Sequence, residues 1–188
     1  MRCRPGHRHD LVALGLVANL ARPGAHVTGV LIAPDGTLAG KRLELLRQIA
    51  PSVTRIAYLS PPPDAASALQ LAEARKAATE LGVTLLDVDV PDGDHERAFA
   101  TLVAQRPGAL MVAAHTLFVR DRPRIIALAA RHRLPAIYDW REQVEDGGSM
   151  TDSTSLNWTY ERIASFVDRI LKGARPPGRS GGRASEQI

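Results

Sequence analysis

The chain has 188 residues, 45% of them apolar, 23% charged and 4% aromatic, with a formal net charge of +4. That length suits one domain, or one domain with a fragment of another, and the composition supplies a buried core, which excludes a wholly disordered chain. The basic excess sits at the two ends, which argues against nucleic acid as a partner, because such binders concentrate positive charge on a folded face.

Arg2, Arg4 and Arg8 against Asp10 leave +2 on residues 1–10. Lys172, Arg175, Arg179 and Arg183 against Glu186 leave +3 on residues 172–188, so the body between carries −1.

Residues 1–10 read as a disordered basic start. Cys3, the single cysteine, has no partner for an internal disulfide and leaves the redox compartment open. The apolar run over 11–18 has the outline of a short signal peptide. Against that, Asp10 and Asn19 bracket it, and Leu11, Leu14 and Val17 share one helical face. A packed helix over 11–20 is the preferred reading. The run is too short to cross a membrane, so membrane insertion is not expected. Arg22-Pro23-Gly24 stops the helix, and 26–32 reads as extended.

Leu43, Leu46 and Ile49 predict an amphipathic helix over 38–50, with Lys41, Arg42 and Arg47 outward. A strand over 55–59 follows, then the turn Ser60-Pro61-Pro62-Pro63. The next helix has Asp64 as N-cap, reaches Leu81, and has Gly82 just beyond its end. A strand over 83–90, a helix over 94–105 and a strand over 109–114 come next. A helix from Asp121 to His132 carries Pro123 in its first turn. After a strand over 134–138 comes a short helical segment over 140–145. Gly147-Gly148 then turns the chain into an extended 149–153, and a last helix covers 157–171. The remainder, rich in Gly, Pro, Arg and Ser, reads as a disordered tail.

Strands alternating with helices of this length predict parallel crossovers, hence an α/β fold with a doubly wound parallel sheet. The strand over 109–114 is apolar throughout, as a sheet covered on both faces requires. The 55–59 strand is expected between the 83–90 and 109–114 strands. Ligands of such sheets sit beyond the carboxyl ends of the strands. That rule nominates Ser60, His115, Thr116, Tyr138, Asp139 and Trp140.

The sequence holds no Gly-rich dinucleotide or phosphate loop, no nucleophile elbow and no paired-cysteine motif. No catalytic residue, metal site or cofactor is assigned, and the chain is not read as an enzyme. His7 and His9 have chelating spacing but lie in the basic start. His115 is either a polar contact to ligand, or a general base, or a loop histidine satisfied by solvent. His132, between Arg131 and Arg133, suits a helix C-terminus. Glu142, Glu145 and Asp146 read as a solvated helix face. Tyr138 and Trp140 either stack on a ligand or close the end of the sheet.

Several strings taken together resemble the bacterial ABC transporter substrate-binding protein family, whose characterised relatives bind aromatic amino acids. They are Gly15-Leu16-Val17-Ala18-Asn19-Leu20-Ala21-Arg22-Pro23-Gly24, Val27-Thr28-Gly29 and Gly40-Lys41-Arg42-Leu43-Glu44-Leu45-Leu46. Further along come His132-Arg133-Leu134-Pro135-Ala136-Ile137-Tyr138, Arg141-Glu142, Gly147-Gly148 with Met150, and Ile170-Leu171-Lys172-Gly173-Ala174. The resemblance spans about residues 15–175.

It implies a type I periplasmic-binding-protein fold, two α/β lobes hinged by crossing strands and closing on a small solute. The implied partners are that solute and the permease of an ABC importer. The implied location is periplasmic or extracellular, or cytoplasmic if the chain is made as given. On this reading 11–33 is a first-lobe helix and hinge remnant, and 34–152 is the second lobe. Residues 153–174 are the returning hinge and a first-lobe helix, and 175–188 the tail. The chain is expected to be truncated at its start and divergent at its end. A non-functional gene fragment, or a flavodoxin-like enzyme domain, are the alternatives.

The resemblance also marks departures. Ser60-Pro61-Pro62-Pro63 stands where the family usually has an Asn-Pro turn. Thr151-Asp152-Ser153-Thr154 stands where it usually has Ser-Tyr-Gly-Pro, which puts an aromatic ligand in doubt and adds Asp152 to the candidates. In the expected site Ser60 and Thr116 bind a carboxylate, Asp139 or Asp152 an ammonium, and Trp140 an apolar portion, as an amino-acid-like solute would require.

Overall fold

The computed structural model describes residues 38–173 except 64, 91 and 154. The expected helix over 11–20, the extended 26–32, the Asp64 cap, the paired His7 and His9 and the tail lie outside the described residues. The chain divides into two compact units, one of Gly36–Leu156 and one of Met1–Asp35 with Asn157–Ile188.

In the first unit α1 (Leu38–Ile49) leads into β1 (Arg55–Ser60), α2 (Ala65–Glu80), β2 (Thr84–Asp89), α3 (His95–Ala104) and β3 (Ala109–Val112). Then come α4 (Thr116–Arg120), α5 (Arg122–Arg131), β4 (Ala136–Tyr138), α6 (Arg141–Glu145) and β5 (Met150–Thr151). The strands form one sheet in the order β2-β1-β3-β4-β5, every pair parallel. The doubly wound sheet is therefore as the alternation of elements predicts, with β1 between β2 and β3. The fifth strand is an addition. Residues 149–153 were expected to be extended, and Met150 and Thr151 pair with Ile137 and Tyr138.

β1 and β3 are covered on both faces, so Ile56, Ala57, Leu59, Leu110 and Val112 are wholly buried. β2, at the edge, alternates between buried and open positions. Helices α1 and α2 pack together on one face, and α3 and α5 on the other. Successive residues of a strand point to opposite faces, so each strand end splits its side chains between these two helix layers.

Helix ends explain several local choices. Asp94 caps α3, its side chain accepting from the Arg97 N–H at 3.1 Å. Gly82 takes φ of 67° beyond α2, where Val83 N–H donates to Ala78 O and Gly82 N–H to Thr79 O. That is the glycine-terminated helix end expected from its position. At the end of α5 the same pair of bonds forms, but Arg133 occupies the left-handed position with φ of 53°. Gly148 serves a different need. A Cβ there would lie 2.5 Å from Gln143 O and 2.7 Å from the Tyr138 ring, so only glycine lets β5 approach β4 beneath α6.

One expectation for α1 is corrected. Lys41 and Arg47 are exposed, but Arg42 is 4% exposed and faces inward with Leu43 and Leu46. Ile49, expected inward, is 54% exposed. The reason for the first lies across the fold: a carboxylate past the end of β4 supplies a counter-charge that no local pattern reveals.

In the second unit the described residues belong chiefly to α7 (Leu156–Leu171), whose Trp158, Tyr160, Ile163, Val167 and Leu171 are exposed. Among the described residues no helix is long and apolar enough to cross a membrane.

Candidate functional site

Because all five strands run the same way, their carboxyl ends share one edge. The chain passes from β1 outward to β2 and then back past β1 to β3, so β1 and β3 flank the point where the winding reverses. A crevice opens at such a point. Ser60 ends β1, and Ala113, Ala114 and His115 follow β3. The Gln70 side chain of α2 donates to Ala114 O and accepts from Ala114 N–H, both at 3.0 Å, and so fixes this turn.

Ser60 is buried, and its hydroxyl donates to Asp87 of β2, which also meets Arg75 at 3.2 Å. With its proton committed, Ser60 retains lone pairs that can accept. His115 caps α4, its Nδ1 accepting from Leu117 N–H at 3.1 Å. In the neutral ring this places the proton on Nε2, which leaves a donor. Thr116 is exposed at the first position of α4, its hydroxyl open to either role.

Past β4 the split between faces decides the geometry. Asp139 points toward α1, where it forms a buried ion pair with Arg42, the two side chains 9% and 5% exposed. Two residues past the start of β5, Asp152 points the same way and meets Lys41 at 2.7 Å. Consecutive cations of α1 thus hold the two acids nominated for an ammonium group. They are not equivalent. Lys41 is 61% exposed and engages one oxygen of Asp152, while the other, Oδ2, is buried without a hydrogen-bond partner among the described residues.

Tyr138 points to the opposite face, against Gly148 and Ile126 of α5. Burial alone pushes its hydroxyl up to about 12. The structure therefore gathers Asp139 and Asp152 under α1 and places Ser60 and His115 at neighbouring strand ends. It does not bring Tyr138 to that side. Trp140, 9% exposed, begins α6, its N–H donating to the Gln143 side chain at 3.0 Å.

Residues that sequence reasoning missed are Arg42, Lys41 and Asp87. Arg42 had no readable signal, since its spacing in α1 suits either face. Asp87 had one: with Asp89 it is one of two acids inside the largely apolar 83–90 strand. Tyr58, beside Asp87 in register, has its hydroxyl held far above the usual phenol range by burial first and then by Asp87. Among the described residues no three His, Cys, Asp or Glu side chains cluster to hold a metal.

The parallel sheet wound on both faces has the α/β fold of periplasmic-binding-protein-like structures. The chain belongs to the ABC transporter substrate binding protein family, whose profile matches residues 8–180. Solved structures share the fold. The ABC domain of Streptococcus pneumonia in complex with L-Trp is 24% identical with a TM-score of 0.70, over 89% of this chain and 56% of its own. A conserved domain protein from Vibrio cholerae is 22% identical with a TM-score of 0.70, over 90% of this chain and 56% of its own. A ligand-free, open substrate binding protein with adhesive properties from Clostridium difficile is 20% identical with a TM-score of 0.58, over 88% and 55%. The chain thus spans little more than half the length of these structures. No curated protein matches it.

Proposed function

We propose that the chain supplies one lobe of a two-lobed solute-binding protein serving an ABC importer, and that it performs no bond chemistry. In this reading 34–152 is the second lobe, and 11–33 with 153–174 belong to the hinge and first lobe. Ligand contacts to both lobes shift an open form toward a closed one, which the permease recognises. The protein would act in the periplasm or outside the cell.

The solute we propose is amino-acid-like. The observation that carries this is Asp152, whose carboxylate stands at the carboxyl edge with one oxygen buried and unpartnered among the described residues and the other on an exposed, displaceable lysine. An ammonium group suits that vacancy, whereas Asp139 is already neutralised by buried Arg42. Thr116 and His115 Nε2 are the donors for a carboxylate, Ser60 is an acceptor, and Trp140 covers an apolar portion. Tyr138 is left out because it faces the other helix layer.

The test joins this chain to a complete first lobe from a relative and titrates amino acids by calorimetry. Micromolar affinity corresponds to about −8 kcal/mol, and half of those contacts to about −4, or millimolar. The fusion should therefore bind far more tightly than the chain alone. Asp152→Ala should abolish the preference for amino acids over the corresponding carboxylates; an unchanged preference removes Asp152 from the site.

A further inference from the structure

His95 is wholly buried, yet the proposed solute wall makes no use of it. It is the first residue of α3, in the helix layer away from α1. Its Nε2 lies 2.8 Å from Asp121 Oδ2. The Arg120 side chain holds the Asp121 carboxyl far below the usual range, so this oxygen is an anionic acceptor and the histidine nitrogen carries the proton. The other ring nitrogen, Nδ1, is buried without a hydrogen-bond partner among the described residues. An unpaired buried nitrogen is costly, and an apolar side chain would fill the same space without one. What the histidine adds is a bond of fixed direction.

That bond lands on the elbow between two helices. Asp121 closes α4, its N–H donating to Leu117 O at 2.9 Å, and opens α5, its carbonyl accepting from Arg124 N–H at 3.1 Å. A second contact reaches the middle of α4. The Phe118 ring, 1% exposed, lies 6.1 Å from the His95 ring and 6.2 Å from the His115 ring. Aromatic rings at such distances favour tilted and edge-on arrangements, and the two pairs cross at 57° and 67°. The segment bearing His115 and Thr116 is thus gripped from both helix layers, by Gln70 of α2 before it and by His95 of α3 after it.

We propose that His95 is a positioning residue: through Asp121 and Phe118 it holds α4 so that the His115 ring keeps Nδ1 on Leu117 N–H and presents Nε2–H at the carboxyl edge. Its part in solute binding rests on the reading of His115 given above; the coupling between the two histidines does not.

The experiment follows the imidazole nitrogens of the full 188-residue chain by NMR, with a His115→Gln variant to assign the His115 ring. The unsubstituted chain should show His115 in the single form with its proton on Nε2. His95→Leu fills the space but cannot bond Asp121, and should let the two His115 tautomers average. His95→Gln, whose amide can still donate to Asp121, should restore the single form. Should His95→Leu fail to fold, Asp121→Ala decides instead and should give the same averaging. Asp121 makes no side-chain cap bond to α5, so that change deletes the acceptor without uncapping the helix. A histidine that merely filled the core would lower the melting temperature in His95→Leu and leave the His115 signals alone. In the fusion to a first lobe, His95→Leu should also weaken amino-acid binding by about tenfold, as loss of one oriented hydrogen bond implies. The proposal is overturned if the deciding variant leaves the His115 signals unchanged, if His95→Gln fails to restore them, or if that affinity does not move. A fusion that binds no amino acid, with the ring signals changing as stated, overturns the solute reading and leaves the coupling standing.

Discussion

Arg42 of α1 and Asp139 past β4, separated by 97 positions, close on each other in an ion pair that is buried on both sides. The pair ties the helix preceding the sheet to the edge where ligands of this fold are held. It has a direct energetic consequence. Arg42→Met alone strands a buried carboxylate and should cost about 3–5 kcal/mol, whereas Arg42→Met with Asp139→Leu should recover most of that loss. Urea unfolding of the single and double variants measures both. A single-variant loss below about 1 kcal/mol would mean that water reaches the pair.

Gly148→Ala should destabilise by about 1–3 kcal/mol, because the added methyl meets the Gln143 carbonyl at 2.5 Å and the Tyr138 ring at 2.7 Å. Thermal melts read the loss. Gly82→Ala should act through backbone conformation instead, since nothing lies within 4 Å of its added methyl. Pairing Gly148→Ala with a smaller residue at 138 should therefore rescue part of the loss, while no side-chain change rescues Gly82→Ala.

Asp121 governs part of the acid limb. The Arg120 side chain holds its carboxyl far below the usual range, and the His95 ring, 2.8 Å away, adds to this. A depressed carboxyl contributes stability that is present above the unfolded value of about 4 and is lost as pH falls through the folded value. Asp121→Asn should flatten the stability curve below about pH 4 relative to the parent. Superimposable acid limbs would contradict this.

Tyr58 and Tyr138 govern the alkaline limb with the opposite sign. Burial raises both hydroxyls, Tyr138 to about 12 and Tyr58 beyond. Stability from these groups is present below the unfolded value of about 10 and is lost as pH rises toward the folded values. Tyr58→Phe with Tyr138→Phe should flatten stability between about pH 10 and 12, measured by denaturant melts at stepped pH.

What the amino-acid sequence determined by itself is the layered plan. Alternating apolar strands and amphipathic helices leave few arrangements, and the uninterrupted apolar run over 109–114 requires a sheet covered on both faces. Turn chemistry is equally local, so Gly82 announces a helix end that the structure places as expected. The short β5 was less legible, because two residues carry no period and join the sheet only when Gly148 admits them beside Tyr138.

The tertiary structure decided which polar groups remain available to a ligand. Tyr138 and Asp139 are neighbours in the chain, yet the pleat sends one toward α5 and the other toward α1. Arg42 reads as a surface residue of α1 until Asp139 supplies its counter-charge from across the sheet. Burial of a charge depends on a partner that can lie anywhere in the chain, whereas an apolar face depends only on local spacing. For that reason the strand plan was readable in advance, and the distinction between Asp139 on a buried arginine and Asp152 on an exposed lysine was not.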